Sequence, residues 1–203
     1  MENPVKSDIP AFRMYGNIYF VGSRKVSVHV LKTEVGLVMI DTGYPDMYEQ
    51  ILDSMHSVGL DEKDICAIFH SHGHIDHLGG ARALRDLTGA KIALGAADRQ
   101  YANGELDLSY AEELNMSYKE TFEPDILLKD GDEITLGNTT VRAVATPGHT
   151  PGAMSFFFDV TDGKETFRAG LHGGMGINTM CKAFLDKYGL SYENIVATAL
   201  DKH

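Results

Sequence analysis

Three histidines and an aspartate fall within six residues of this chain, in the stretch FHSHGHIDHLGG that runs from Phe69 to Gly80. His72 and His74 are one residue apart, and Asp76 and His77 follow closely. Imidazole nitrogens and carboxylate oxygens are suitable ligands for Zn²⁺. The spacing predicts that His72 and His74 point to one metal, while Asp76 and His77 reach a second metal beside it. A set of solvated loop histidines is the competing interpretation, and four ligand-type residues at this spacing disfavour it.

A second candidate ligand, His149, lies in the segment TPGHTPG. Proline and glycine on both sides indicate a tight loop after a strand, which is the rigid support that a metal ligand requires. Taken alone, His149 is equally well explained as a turn residue. Together with the first cluster, it is predicted to complete the first metal site.

The elements around the first cluster indicate how it is held. The segment ICAIFHS is typical of a buried strand, whereas Leu78, Ala81, Leu84 and Leu87 repeat at helical spacing. The cluster is therefore predicted to lie on a loop between a strand and a helix.

The remaining chain is predicted to alternate strands and helices. Short β-branched runs open the chain, and an apolar stripe from Met47 to Val58 predicts a helix that ends at Gly59. The other predicted elements are a strand at KIALG, a short helix near Ala96 to Asn103, four short strands between Asp125 and Val160, a strand at ETFRAG, and helices from Thr179 to Tyr188 and from Tyr192 to Leu200. The segment from Glu105 to Pro124 has no clear periodicity and is predicted to be a mobile loop beside a site.

Composition narrows the class of protein. The 203 residues are enough for one domain, spanning 1–203, and too few for two ordinary domains. A formal net charge of −11 disfavours nucleic acid as a partner, since recognition of phosphates relies on lysine and arginine. Two cysteines cannot form a disulfide framework, and neither a signal peptide nor a membrane-spanning stretch is evident. We expect a cytoplasmic protein with a small-molecule substrate and no membrane partner; the oligomeric state stays open.

The sequence resembles the metallo-β-lactamase fold superfamily from about Asn17 to Gly174. The HxHxDH motif of that family is matched by His72, His74, Asp76 and His77, the next metal histidine by His149, and the buried aspartate behind the site by Asp41 in MIDTG. The segments NIYFVGSRKVSVHVLKTEVGLVMIDTG and GHTPGAMSFFFDVTDGKETFRAG are most similar to the third subclass of class B β-lactamases. The resemblance implies an α/β fold, the αββα sandwich, with one or two Zn²⁺ ions.

Two departures from the family pattern stand out. Where many relatives carry a carboxylate that bridges the metals, this chain has Gly170 and Leu171 followed by His172. The third lactamase subclass also lacks the bridge, and its absence disfavours a close similarity to glyoxalase II. The last metal histidine of the family has no counterpart before the chain stops, so the C-terminal strand and helix are expected to be missing. His203 could replace that ligand if the tail folds back. His172 is better placed to do so, since it follows a strand near the metals, but a role behind the ligands or in the pocket wall is an equally good interpretation.

The family resemblance and the neutral histidines together predict a zinc-dependent hydrolase. His72, His74 and His149 leave a fourth zinc position for water, and the resulting hydroxide would attack a carbonyl substrate such as an amide, lactam, lactone or ester. Asp76 is expected to be catalytic, because it would orient that nucleophile while binding the second metal. The alternative is a metal-binding, catalytically silent truncated protein. Iron-dependent redox chemistry is disfavoured, since flavodiiron relatives carry glutamate where His74 stands.

Other residues that could bind a metal receive plainer interpretations. His29 falls in a strand pattern, His56 on the polar side of a helix, and His70 just before the motif, behind the site. Cys66 is predicted to be a core residue and Cys181 a structural residue of a late helix.

Overall fold

Two β-sheets face each other and enclose one part of the core. The computed structural model describes residues 9–106, 110–116, 118–176, 181–191 and 193. In these residues a seven-stranded sheet has the order β1 to β7, and a four-stranded sheet has the order β11-β10-β9-β8. Phe69 of the first sheet meets Phe156 of the second edge to face, with ring centroids 5.5 Å apart. The predicted α/β sandwich is confirmed.

The first sheet changes from antiparallel to parallel pairing at β4. Its strands are β1 (Phe12–Tyr15), β2 (Ile18–Phe20), β3 (His29–Thr33), β4 (Gly36–Ile40), β5 (Ile65–His70), β6 (Lys91–Gly95) and β7 (Ile126–Leu128). Strands β4 to β7 are parallel. Because parallel strands end at the same edge of a sheet, the loops that leave β4, β5 and β6 lie side by side.

The second sheet is antiparallel and has one apolar face. Its strands are β8 (Glu133–Leu136), β9 (Thr139–Ala145), β10 (Met154–Thr161) and β11 (Thr166–Leu171). Alternation along β10 buries Phe156 and Phe158 against the first sheet and leaves Phe157 and Asp159 exposed. The loop between β9 and β10 carries His149 at the edge of this sheet.

Helices cover the other face of the first sheet. They are α1 (Tyr48–Ser57), α2 (Ile75–Leu78), α3 (Ala81–Thr88) and α4 (Arg99–Ala102), with 3-10 turns at Pro45–Met47, Glu62–Asp64 and Ala96–Asp98. A further helix, α5 (Lys182–Tyr188), instead bonds to Glu113. Ile51 and Met55 of α1 and Leu84 of α3 are buried in the core cluster that includes Met39 and Ile68 of the sheet. The helix predicted to end at Gly59, the strands at ICAIFHS and KIALG, and the short helix near Ala96 are confirmed.

The apolar residues after the histidine cluster were predicted to form one helical stripe that ends at Leu87. This prediction is wrong at Leu87. Two glycines divide the segment into α2 and α3. A Cβ atom at Gly79 would lie 2.4 Å from Pro45 Cδ, and one at Gly80 would lie 2.8 Å from Thr42 O, so the chain bends where only glycine fits. Since α3 starts anew after the bend, its apolar side is limited to Ala81 and Leu84, and Leu87 is 46% exposed.

The structure describes only part of the predicted loop from Glu105 to Pro124 and of the two predicted C-terminal helices. The described part of the segment from Glu105 to Pro124 contains turns but neither helix nor strand, as expected. Of the helix predicted from Thr179 to Tyr188, the structure describes Lys182–Tyr188 as α5. The helix predicted from Tyr192 to Leu200, and His203, lie outside the described residues apart from Glu193. Within the described part of the chain, no helix combines the length and apolarity needed to cross a membrane.

Candidate metal centre

The predicted ligands converge at the edge where the parallel strands end. Asp41 follows β4, and His72 and His74 lie on the loop that follows β5. The loop that carries His149 meets this edge from the second sheet, where the Met154 amide donates to Ser71 O over 2.7 Å. Residues far apart in sequence are thus brought into one site by the sheet edges.

His72, His74 and His149 form what we call the three-histidine group. Each offers one ring nitrogen, and these atoms lie within 4.8 Å of one another. His74 Nδ1 and His149 Nε2 are 2.9 Å apart, and His72 Nε2 is buried without a hydrogen-bond partner. An orphaned buried nitrogen beside two converging nitrogens is the arrangement that a metal ion would satisfy.

The other ring nitrogens of two of these histidines are already engaged. His149 Nδ1 donates to the carbonyl oxygen of Gly176 over 2.6 Å, and His72 Nδ1 is 3.0 Å from Ser71 Oγ. A proton on Nδ1 leaves the lone pair on Nε2, which is the atom that faces the centre of the group. Both contacts therefore orient their rings, and the carbonyl contact also fixes the tautomer of His149 that metal binding requires.

Two glycines of the segment GLHGGMGIN are required by their closeness to His149. A Cβ atom at Gly174 would lie 2.7 Å from His149 Cδ2, and one at Gly176 would lie 2.9 Å from His149 Cε1. Larger residues at these positions would push the segment away from the imidazole. The glycines therefore let the backbone approach the His149 ring closely.

Burial keeps the three-histidine group neutral. It lowers the pKa of His72 well below its ordinary value, an effect to which the neighbouring histidines add. Burial, with the adjacent His149, lowers the pKa of His74 to about 3. The pKa of His149 is lowered as well, chiefly by burial. Neutral imidazoles at pH 7 present lone pairs and need not lose protons to bind a metal.

His72, Asp76 and His77 form a second set, which we call the mixed group. One atom of each lies within 4.8 Å of the others. His77 Nε2 is 3.4 Å from Asp76 Oδ2, and His77 Nδ1 is 2.9 Å from Asp41 Oδ2. Burial lowers the pKa of His77, but the two carboxylates outweigh it and raise that pKa to about 10. In the metal-free protein His77 is therefore an imidazolium held between two aspartates.

Asp41 and Ser71 connect the two groups from behind. Asp41 is buried and has the left-handed backbone φ of 63°, a conformation that aspartate tolerates better than most residues. It accepts hydrogen bonds from Ser71 N and Ser71 Oγ, both at 2.8 Å, and Ser71 Oγ also lies 3.3 Å from His77 Nδ1. Burial opposes the charge of Asp41, but His77 keeps its pKa below the ordinary value. Asp41 lies behind the site, where the family resemblance placed it. The role of Ser71 was not predicted, although this residue directly precedes the HxHxDH motif.

A cavity of about 420 Å³ opens onto the mixed group and His149. The polar and charged side chains that line it are Lys25, Ser27, His29, Asp41, Ser71, His72, Asp76, His77, His149 and His172. His172 is exposed, and its Nδ1 accepts the Gly174 amide over 3.1 Å. His172 thus lies in the wall of this cavity. Lys25 and His29 were not predicted there, because nothing in a strand or loop pattern indicates that the β2–β3 connection reaches this cavity.

An aromatic cluster adjoins the three-histidine group on another side. The Tyr110 ring is 5.9 Å from that of His74, and the Phe184 ring of α5 is 5.6 Å from that of Tyr110. Lys187 and Tyr188 of α5 bond to Glu113. The segment from Glu105 to Pro124 thus lies beside the site, as predicted; its mobility stays a prediction. Cys181, which precedes α5, is exposed.

The remaining histidines and Cys66 lie outside both ligand groups. His56 is exposed and pairs with Glu62 at 2.5 Å. His70 is fully buried, with Nδ1 3.8 Å from Asp41 Oδ1, which places it behind the site. Cys66 is partly buried against the core between the sheets, as expected. His29 lies in β3, as the strand pattern indicated.

The family model described as the Metallo-beta-lactamase superfamily matches residues 21–162. That range is more than half of the chain. The chain belongs to the metallo-β-lactamase superfamily. Its fold agrees with solved structures of this superfamily, two of which are especially informative.

Subclass B3 enzymes are among the similar structures. BJP-1, a subclass B3 metallo-β-lactamase of Bradyrhizobium japonicum, is 30% identical to this chain with a TM-score of 0.80. The match covers 95% of this chain and 74% of the BJP-1 chain. The class B3 di-zinc metallo-β-lactamase LRA-12 from an Alaskan soil metagenome is 26% identical to this chain with a TM-score of 0.84. The match covers 99% of this chain and 76% of the LRA-12 chain. The predicted likeness to the third subclass is confirmed.

Curated relatives extend the comparison to other members. The uncharacterized protein YobT of Bacillus subtilis is 29% identical over 81% of this chain and 70% of its own length. A hydroxyacylglutathione hydrolase of Methylococcus capsulatus is 32% identical over 45% of this chain, and the match spans only 28% of that enzyme. Part of this chain is therefore similar to a glyoxalase II type of enzyme, despite the departure at Gly170.

Proposed function

We propose that this protein is a zinc-dependent hydrolase that acts on a carbonyl substrate such as an amide, lactam, lactone or ester. One observation carries the proposal: two buried imidazoles and one half-buried imidazole, all neutral at pH 7, direct nitrogen atoms to one point beside a cavity. The β-lactamase and hydroxyacylglutathione hydrolase names of similar proteins support hydrolysis of a carbonyl group.

The donor set fits zinc. His72, His74 and His149 would hold the first ion, in agreement with the unpartnered Nε2 of His72. Asp76 and His77 would hold a second ion after His77 loses its proton, with Asp41 continuing to orient the His77 ring through Nδ1. Zinc supplies Lewis-acid chemistry when bound, since it polarises a carbonyl group and activates water at neutral pH.

The side chains around the cavity would carry out the other parts of the reaction. The Asp76 carboxylate, which faces the cavity, would accept a hydrogen bond from the attacking water and fix its direction. Its pKa lies below the ordinary value, because the His77 hydrogen bond and charge outweigh its burial. Asp76 is therefore ionised at neutral pH and able to accept that bond. The exposed His172 lines the cavity and would contact the substrate.

The test is metal analysis of the purified protein together with hydrolysis of a chromogenic lactam, a lactone and a panel of esters and thioesters. We expect stoichiometric zinc, turnover of at least one substrate class, and loss of turnover with a chelator. Asp76→Asn should reduce turnover by about 100-fold or more, within the range for a positioned general base. The matched control is Asp86→Asn, because Asp86 is exposed on α3 and pairs with Arg82 at 3.7 Å.

Each other outcome rejects a defined part of the proposal. Bound zinc without turnover of any substrate class would favour a metal-binding, catalytically silent protein. Equal losses in Asp76→Asn and Asp86→Asn would remove Asp76 from catalysis. A similar fall in unfolding temperature and in activity for Asp76→Asn would make Asp76 a structural residue.

A further inference from the structure

A buried carboxylate outside the predicted ligand set connects the two histidine-bearing loops. Asp98 ends the 3-10 turn that follows β6 and has no exposed surface. Its Oδ2 accepts the Gly73 amide at 2.8 Å and the Thr150 hydroxyl at 2.5 Å, and its Oδ1 accepts the Gly152 amide at 2.7 Å. One side chain thus bonds to both loops.

The positions of these three donors relate Asp98 to the three-histidine group. Gly73 lies between His72 and His74, while Thr150 and Gly152 follow His149 closely. A displacement of either loop relative to Asp98 would change the separation of His74 Nδ1 and His149 Nε2, which is 2.9 Å.

The packing around Asp98 leaves little space for such a displacement. A Cβ atom at Gly152 would lie 2.7 Å from Asp98 Cγ, and one at Gly73 would lie 2.7 Å from Tyr101 Cδ2. A Cβ atom at Gly95 would overlap the carbonyl oxygen of Gly152. Glycine at these places lets both loops approach the carboxylate closely enough to bond to it.

The choice of a carboxylate is itself informative. None of the three groups that bond to Asp98 carries a charge, and burial raises its pKa to about 6 although the hydrogen bonds oppose this. A buried carboxylate without a cation beside it costs free energy. An ionised carboxylate, however, accepts all three hydrogen bonds, whereas the amide group of asparagine would turn an N–H toward one of the donors.

We propose that Asp98 is a positioning residue that fixes the loop of His72 and His74 against the loop of His149. The inference rests on the proposed function in one respect, namely that these histidines hold a metal. Asp98 contacts neither substrate nor metal; it acts through the backbone of Gly73 and Gly152 and the hydroxyl of Thr150. Loosening this connection would spread the three imidazoles apart and weaken the first metal site more than the mixed group.

The test compares Asp98→Asn with Asp125→Asn. Asp125 accepts the Ile92 amide and the Lys91 ammonium group, each at 3.0 Å, at the opposite end of β6 and away from the ligand loops. In a zinc titration we expect a tighter binding event at the three-histidine group and a weaker one at the mixed group. Asp98→Asn should weaken the tighter event by about 10- to 100-fold, the range for losing a partner behind the ligands. The weaker event should change by less than about threefold, and Asp125→Asn should change neither. Thr150→Val removes one hydrogen-bond donor and should cause a smaller loss of affinity in the tighter zinc event. This variant replaces Asp98→Asn in the test if Asp98→Asn does not fold.

A metal-free readout separates this inference from the proposed function. In protein without metal, Asp98→Asn should speed amide exchange at Gly73 and Gly152 and weaken the nuclear Overhauser contact between the His74 and His149 rings. Wild-type protein that binds no zinc would reject the proposed function, yet this readout would still test Asp98. The inference is overturned if Asp98→Asn lowers the unfolding temperature but leaves the ring contact and the tighter zinc event as in Asp125→Asn.

Discussion

The three-histidine group and the mixed group share His72 but differ in charge. In the first group burial lowers the pKa of every member, so all three imidazoles are neutral at pH 7. In the second, His77 carries a proton because Asp41 and Asp76 stabilise its charge. The first group is ready for a cation, whereas the second already contains an ion pair that a cation must displace.

This difference teaches that adjacent sites built from similar residues need not bind metals equally. Two carboxylates decide the charge of His77, whereas burial is the largest influence on the pKa of His74 and of His149 and lowers both values. A metal at the mixed group competes with a proton, which the three-histidine group does not require. We therefore expect the first group to bind zinc more tightly at neutral pH.

The largest effect is expected from removal of a histidine that belongs to the first group alone. His149→Ala should weaken the tighter zinc event by more than about 100-fold, since losing a ligand costs more than losing an outer partner. Calorimetric zinc titration measures this change. His56→Ala is the control, because His56 is exposed and pairs with Glu62 away from the site. A tighter event that survives in His149→Ala would break the assignment of the first group.

A pH series should separate the two groups. Because the pKa of His77 is raised to about 10, zinc must displace its proton at neutral pH, and affinity at the mixed group should rise by ~10-fold per pH unit. The first group has lowered pKa values and should change little between about pH 7 and 8.5. Equal pH slopes for both zinc events would contradict the charge difference. In metal-free protein, the same raised pKa predicts stability that is present below about pH 6.5 and is lost as pH rises through 10.

The closeness of the candidate ligands could be predicted from the sequence for a physical reason. His72 and His74 lie on the loop after β5, and Asp76 and His77 lie in the adjoining helix α2. Because all four fall within six residues, their proximity follows from covalent spacing. His149 required only the additional inference that a tight loop after a strand forms a rigid support. The flanking strand and helix were readable from their apolar periodicity.

Other features of the site depend on tertiary contacts that leave no local pattern. Asp98 bonds to Gly73 and Gly152, which are 25 and 54 residues away, and the donors are backbone amides that any sequence possesses. The bend at Gly79 was hidden for the same reason, since the close neighbour there is Pro45. Such contacts become visible only when the ends of β4, β5 and β6 are placed side by side.

Zinc titration into the metal-free wild-type protein at pH 7 tests the central claim most directly. The charge difference predicts one tight event at the three-histidine group and one weaker event at the mixed group, with proton release accompanying the weaker event alone. Two equally tight events would contradict this. They would show that another residue, with His172 and His203 the first to test by substitution, completes the second site.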